Sequence, residues 1–257
     1  MYASSLNLLR HQQFPSQHLP DDRNITVYLP PGYLTQPDRH YPVLYLHDGQ
    51  NLFDPNEAFM KGEHWRVGEE ATRLIQAGLI PPLIIVGIGN AGPRRLYEYT
   101  PTHDRRRGGG EADAYGRMII EELKPFIDAT YRTLTDAPNT GLGGSSLGGL
   151  VTMYLGLKHP QVFSRLAVMS PSVWWDRRAI LANVRRARPK PALKIWVDIG
   201  TLEGDIHVEN ARLLKTGLLK AGWTEGRDLH YEEVLGGTHS ESAWAERIGP
   251  VLQFLFG

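Results

Sequence analysis

Cysteine is missing from the chain altogether. Its absence excludes a disulfide framework, a thiol nucleophile and thiolate metal ligation together. A surplus of either charge is missing too, since 28 Lys and Arg balance 28 Asp and Glu. Nothing in that balance favours a nucleic acid or an anionic membrane surface as partner. Arginines do cluster at Arg105–Arg107 and at Arg185, Arg186 and Arg188, in the manner of solvated faces. The longest apolar stretch, "LIPPLIIVGIG" from Leu79, holds two prolines and falls short of the roughly 20 residues that span a bilayer. The N-terminal "MYASSLNLLRHQQFP" lacks a basic start followed by an apolar core. No secretory leader is read there, and a cytoplasmic location is the expectation. There is no internal repeat, no linker able to divide the chain, and no His-Glu-x-x-His or comparable spacing, so no metal centre is expected.

What is present is an alternation. Of the 257 residues, 41% are hydrophobic, enough for a substantial core. "NITVYLP" (Asn24–Pro30), "PVLYLHDG" (Pro42–Gly49), "LIIVGIG" (Leu83–Gly89), "LAVMS" (Leu166–Ser170), "KIWVDIG" (Lys194–Gly200) and "LHYEEVL" (Leu229–Leu235) read as strands. Most are nearly continuous apolar runs, as expected of strands buried on both faces of a mainly parallel sheet. Between them the spacing predicts helices over Val67–Ala77, Ala114–Tyr131, Leu147–Lys158, Ile206–Ala221 and Ser242–Phe256. "HDRRRGGGEAD" (His103–Asp113), charged and then glycine-rich, reads as a mobile loop. Strands alternating with helices argue for one α/β domain over residues 1–257, its sheet flanked by helices on both faces.

"TGLGGSSLGGL" (Thr140–Leu150) places two serines in a frame of glycines between a strand and a helix. A Gly-x-Ser-x-Gly turn at that junction is the nucleophile elbow of α/β-hydrolases, where a strained serine needs small residues two positions away on each side. Ser146 is flanked by Gly144 and Gly148, whereas Ser145 has Gly143 and Leu147. Ser146 is therefore the candidate nucleophile; a plain Gly-Ser turn is the alternative. "NTGLGG" is a glycine-diluted strand, poorer in apolar residues than a central strand ordinarily is.

In this fold the triad runs serine, carboxylate, histidine along the chain. Of the histidines after Ser146, His159 ends the elbow helix, His207 opens another helix, and His230 lies within a strand. His239, in "LGGTHSESAW", follows a strand and precedes the last helix, where a base could reach the elbow. The acid belongs on the loop after "KIWVDIG". Glu203 is favoured there, with Asp205 as the alternative or as a helix cap, while Asp198 within the strand faces the sheet. The oxyanion donors expected are the backbone N–H of Leu147 and that of Gln50 or Gly49 in "LHDGQNLFD".

Taken together, "ITVYLPPGY", "YLHDGQNLFD", "HWRVGEE", "VGIGNAGPRRLYEYTP", "GGSSLGGL", "SPSVWWD" and "DIGTLEG" resemble the esterase-D, or enterochelin-esterase-like, branch of the α/β-hydrolases over nearly the whole chain. The resemblance implies an α/β-hydrolase fold without a separate lid domain, and a serine ester hydrolase without metal or other cofactor. It implies a small-molecule ester as partner, among siderophore, feruloyl, acetyl-polysaccharide, thioester and simple acyl esters, with acyltransferases among the relatives. It also places Asn90 and Arg95 on a loop near the site and has Trp65, Trp174 and Trp175 line it, ordinary packing being their alternative role. Some relatives use aspartate as the acid or work with a Ser–His pair, which leaves the role of Glu203 open. "GIGNAG" (Gly87–Gly92) imitates a dinucleotide fingerprint, but "PRRLYEYTP" after it offers no phosphate-cradling helix, so no nucleotide is expected. An acyltransferase with the same triad and a non-catalytic binding protein on this scaffold are the competing functions.

Overall fold

A computed structural model describes residues 7–257. Eight strands form one sheet: β1 (Asn7–Phe14), β2 (Arg23–Leu29), β3 (Val43–His47), β4 (Ile84–Ile88), β5 (Thr140–Ser145), β6 (Arg165–Met169), β7 (Lys194–Gly200) and β8 (Leu229–Val234). Their order is β1-β2-β4-β3-β5-β6-β7-β8. β1 and β2 run antiparallel to their neighbours, and every pairing from β4 to β8 is parallel. The sheet is the mostly parallel one expected, with one addition. The edge strand β1 is not legible in the sequence, because "NLLRHQQF" shows neither alternation nor an apolar run, and the strand stays half exposed.

Helices cover both faces. Val67–Gln76 and Glu241–Phe256 pack against Leu44, Leu46, Ile85 and Trp196 on one side. Leu147–Lys158, Ile180–Arg186 and Asp205–Ala221 lie on the other side and share one core with Val43, Tyr45, Val86 and Leu142. The segment expected as one helix over Ala114–Tyr131 is interrupted. α-Helix over Ala112–Arg117 widens to a π-helical turn at Met118–Leu123 and returns to α geometry at Lys124–Thr130, where Pro125 has no N–H to donate. The segment His103–Asp113 is a bonded turn and not a free loop. Asp104 and Gly108 exchange two backbone hydrogen bonds of 2.8 Å, and Glu111 pairs with Arg94.

The weak-looking β5 is a central strand, buried at every position. Its glycines are a packing requirement: a Cβ on Gly143 would stand 2.6 Å from the Ala167 Cβ and 2.9 Å from the Leu46 side chain. Close approach also explains the imitation of a dinucleotide fingerprint. A Cβ on Gly87 would meet the Gly49 Cα at 3.2 Å, and one on Gly89 would meet the Asn24 carbonyl at 2.8 Å.

Candidate active site

The C-terminal ends of β3, β5, β7 and β8 bring the candidate residues to one end of the sheet. β5 stops at buried Ser145, and Ser146 follows at φ 59°, ψ −120°, outside the regions comfortable for a residue with a Cβ. Such strain costs on the order of 1–3 kcal/mol and persists only where the surroundings impose it. Here Ser146 N–H donates to Met169 O at 3.0 Å, and its carbonyl accepts from Ser172 N–H at 2.9 Å. A Cβ on Gly144 would sit 3.0 Å from the His47 ring, so a side chain at the flanking position would crowd that ring. The helix Leu147–Lys158 starts at once, directing its unpaired N–H groups towards the serine. Among the described residues the Ser146 Oγ has one side-chain partner, the Ser172 Oγ at 3.4 Å.

His239 follows the Gly236-Gly237 turn after β8 and directly precedes Ser240, which caps the last helix by accepting from Ala243 N–H at 3.3 Å. Its Nδ1 lies 2.7 Å from Glu203 Oε2. The Glu203 side chain is only 1% exposed, and its other oxygen accepts from Ser170 Oγ at 2.6 Å and Gly200 N–H at 2.8 Å. Burial pushes this carboxyl up, but the hydrogen bonds from His239, Ser170 and Gly200 outweigh it and hold the group below the usual range. The β7 and β8 loops meet closely: Leu202 N–H donates to Gly237 O at 3.0 Å, and a side chain on Gly200 would collide with that same carbonyl. Asp205, the alternative acid, is the exposed first residue of its helix. The capping position belongs to Gly204 at φ 100°, and Asp205 reaches neither the cap nor the histidine. Ser146 and His239 both follow strands at that end of the sheet, and among the described residues no hydrogen bond joins them.

The loop after β3 supplies Gln50. Asp48 there is left-handed at φ 56°, and a Cβ on the next residue, Gly49, would stand 2.5 Å from the Gly87 backbone. Arg95 donates to Asp48 through two nitrogens at 2.7 and 2.8 Å, Asn90 Nδ2 donates to it at 2.6 Å, and Asp48 N–H donates to Tyr99 OH at 3.2 Å. Burial disfavours the Arg95 charge, yet Asp48 raises its pKa overall. Asn90 also donates its N–H to Gln50 Oε1 at 3.2 Å. Asn90 and Arg95, expected near the site, thus brace the loop that carries Gln50. Among the described residues the N–H groups of Gln50 and Leu147 have no acceptor.

The tryptophans divide. Trp65 (2% exposed) and Trp175 (1%) do not line an open site: the first packs on Trp244, ring centres 5.8 Å apart, and the second donates to Thr102 O at 3.0 Å. Their size and apolar surface are used in the core. Trp174 alone keeps a partly open face, with the Arg107 guanidinium 4.6 Å from the ring centre. Ser170, Ser172 and Arg247 are not marked by any motif in the sequence, and Asp198, expected to face the sheet, accepts there from Arg247. The one available sign was the position of "SPSVWWD" after a parallel strand, at the same sheet end as the other site loops. A cleft of about 810 Å³ opens beside Gln50 and Asn90, with Arg10, Gln12, Thr26 and exposed Phe59 among its walls.

The sheet, the strained serine on its elbow and the histidine–carboxylate pair define an α/β-hydrolase. Residues 16–255 match the model of the Esterase family. The chain belongs to that family and is an ester hydrolase. It is 28% identical to the uncharacterized protein YbbA of Bacillus subtilis over 255 residues, covering 94% of this chain and 96% of that one. It is 31% identical to the ferri-bacillibactin esterase BesA of the same organism over 178 residues, 63% of this chain and 58% of the relative. The crystal structure of the BES protein from Bacillus cereus superposes with a TM-score of 0.77 at 22% identity, covering 100% of this chain and 97% of that one. Among the described residues no helix is long and apolar enough to cross a membrane.

Proposed function

We propose that the chain is a serine carboxylic-ester hydrolase working through Ser146, His239 and Glu203. The observation that carries the reading is the Glu203–His239 hydrogen bond of 2.7 Å, made by a carboxylate 1% exposed and placed at the sheet end that presents the strained Ser146. A buried carboxylate is costly to keep ionised, and its hydrogen-bond set leaves one oxygen for the imidazole.

In this reaction Ser146 Oγ attacks the ester carbonyl while its proton passes to His239 Nε2. Glu203 holds Nδ1–H and stabilises the imidazolium. The N–H groups of Leu147 and Gln50 receive the oxyanion. Collapse breaks the C–O bond, His239 returns the proton to the leaving alcohol, and water releases the acid by the same steps in reverse. The relative named for ferri-bacillibactin supports siderophore-type esters among the substrates. The test is labelling with a fluorophosphonate probe, followed by a panel from acetyl to octanoyl, feruloyl and catecholate esters, with and without added alcohol. Labelling of wild type but not of Ser146→Ala, with free acid as product, is expected. Labelling that survives Ser146→Ala overturns the nucleophile, and acyl transfer to the alcohol as main product makes the chain a transferase.

A further inference from the structure

Behind the Glu203–His239 pair lies a guanidinium with nothing left to give. Arg247, on the last helix, is 3% exposed. Its Nε donates to Ala243 O at 3.0 Å. Its Nη1 donates to Asp198 Oδ1 at 2.7 Å and to Ser170 Oγ at 3.1 Å, and its Nη2 to Thr238 O at 3.1 Å and Glu203 Oε1 at 3.5 Å. All the donors of an arginine side chain are thereby used. Thr238 immediately precedes His239, so one rigid fork grips both the carboxylate and the backbone leading to the imidazole.

Ser170 adds direction. It stands at φ 41°, a left-handed conformation that a serine adopts only under constraint. Its hydroxyl accepts from Trp244 Nε1 at 2.9 Å and from Arg247, two groups that can only donate. The single hydroxyl proton therefore points to Glu203 Oε1, 2.6 Å away. Asp198, wholly buried, supplies the counter-charge to Arg247 and accepts from Trp196 Nε1 at 2.8 Å and Ser170 N–H at 3.1 Å. Trp244 also sets its ring edge-on to His239 at 4.9 Å.

From this we infer that Arg247 and Ser170 are positioning residues of the ester-hydrolysis site. Arg247 clamps the acid loop to the base loop, and the Ser170 proton occupies one Glu203 oxygen so that the other stays aimed at His239. The inference rests on the roles proposed above for Glu203 and His239. Removing Arg247 alone strands Asp198 as an unpaired buried charge, which destabilises strongly, whereas removing both charges together leaves neither of the two unpaired.

The test therefore uses Arg247→Met with Asp198→Asn, alongside Ser170→Ala, each checked for folding by circular dichroism and urea titration. The expected result is a fall in kcat of the order of 10²-fold for the paired variant, the penalty of a small misplacement, with KM within about threefold. Ser170→Ala is expected to lose about tenfold in kcat. Adding Glu203→Gln to the paired variant should then cost far less than Glu203→Gln costs the wild type, because both act through one carboxylate. A folded paired variant with kcat within about threefold of wild type, or losses that simply multiply with Glu203→Gln, overturns the positioning role. In either case the wild type still hydrolyses esters and is labelled at Ser146. Loss of those two properties in the wild type itself overturns the function and the clamp together.

Discussion

Chemistry at the scale of one side chain depends on which group the fold strains and which it relaxes. Ser145 lies buried at the end of β5, while Ser146 alone takes the left-handed turn before the helix. Ser146→Ala is expected to lower kcat by roughly 10⁴–10⁶, leaving what binding and the oxyanion donors supply. Ser145→Ala should cost about tenfold or less; steady-state kinetics on one activated ester decides between them. The acid gives a second comparison. Glu203→Gln keeps the volume but favours the wrong imidazole tautomer, so a loss of at least about 10² in kcat is expected near neutral pH. Asp205→Asn removes only a charge at a helix N-terminus, worth about 0.3–1 kcal/mol of stability, and should leave the rate within about threefold. A large kinetic loss for Asp205→Asn with an active Glu203→Gln would reassign the acid. The frame of glycines around Ser146 made the serine legible in the sequence. Ser170 and Arg247 were not legible, because the role proposed for each depends on partners far away in the chain.

Among the elements, β5 is the one whose local character and tertiary role diverge most. Glycine weakens a strand in isolation, yet three of the six β5 residues are glycine in the middle of the sheet. They make room in β5 for the side chains of its sheet neighbours, Leu44 and Leu46 on β3 and Ala167 on β6, so a methyl group at the tightest position is an overpacking error. Gly143→Ala is expected to lower stability by about 1–3 kcal/mol in urea unfolding, and Ala167→Gly combined with it should recover part of that loss. Purely additive losses would show that strand propensity and not the Ala167 contact sets the cost. The helix Leu147–Lys158 is buried nearly all round, which fits its place behind the elbow between sheet and outer helices. β1 illustrates the opposite case: it is a strand because β2 offers it an edge, and its own side-chain pattern says little.

For the molecule as a whole, acid is the informative stress. His47 is fully buried against Gly144 and Gly148, with its Nδ1 2.8 Å from Tyr115 OH. Burial pushes its pKa down to about 3; Asp48 works against the fall and Arg95 assists it. The unfolded chain binds this proton near pH 6.5 and the folded chain refuses it, so the stability it contributes is full above that pH and lost as pH falls towards 3. The steepest contribution is about 1.4 kcal/mol per pH unit, or about 2 kcal/mol between pH 7 and pH 5. His47→Asn cannot titrate, so its urea stability should fall less over that interval, by about that 2 kcal/mol. Equal acid sensitivity of the two proteins would place the titrating group elsewhere. Carboxylates held low by partners, such as Glu203, lose their contribution at lower pH and do so in both proteins.

Local pattern by itself determined the alternation of strands and helices, the mostly parallel sheet and the glycine-framed turn at Ser146, since each is written in neighbouring residues as apolar runs or glycine spacing, and chain order made His239 the candidate base. Only the tertiary structure decided that Glu203 and not Asp205 meets the histidine, that Asn90 and Arg95 serve Asp48, and that Trp65 and Trp175 belong to the core. The same is true of the Asp198–Arg247–Ser170 cluster. A hydrogen bond between loops at the ends of different strands depends on where the sheet sets those loops. Sheet order and register are collective outcomes of packing, and no short window of residues carries them.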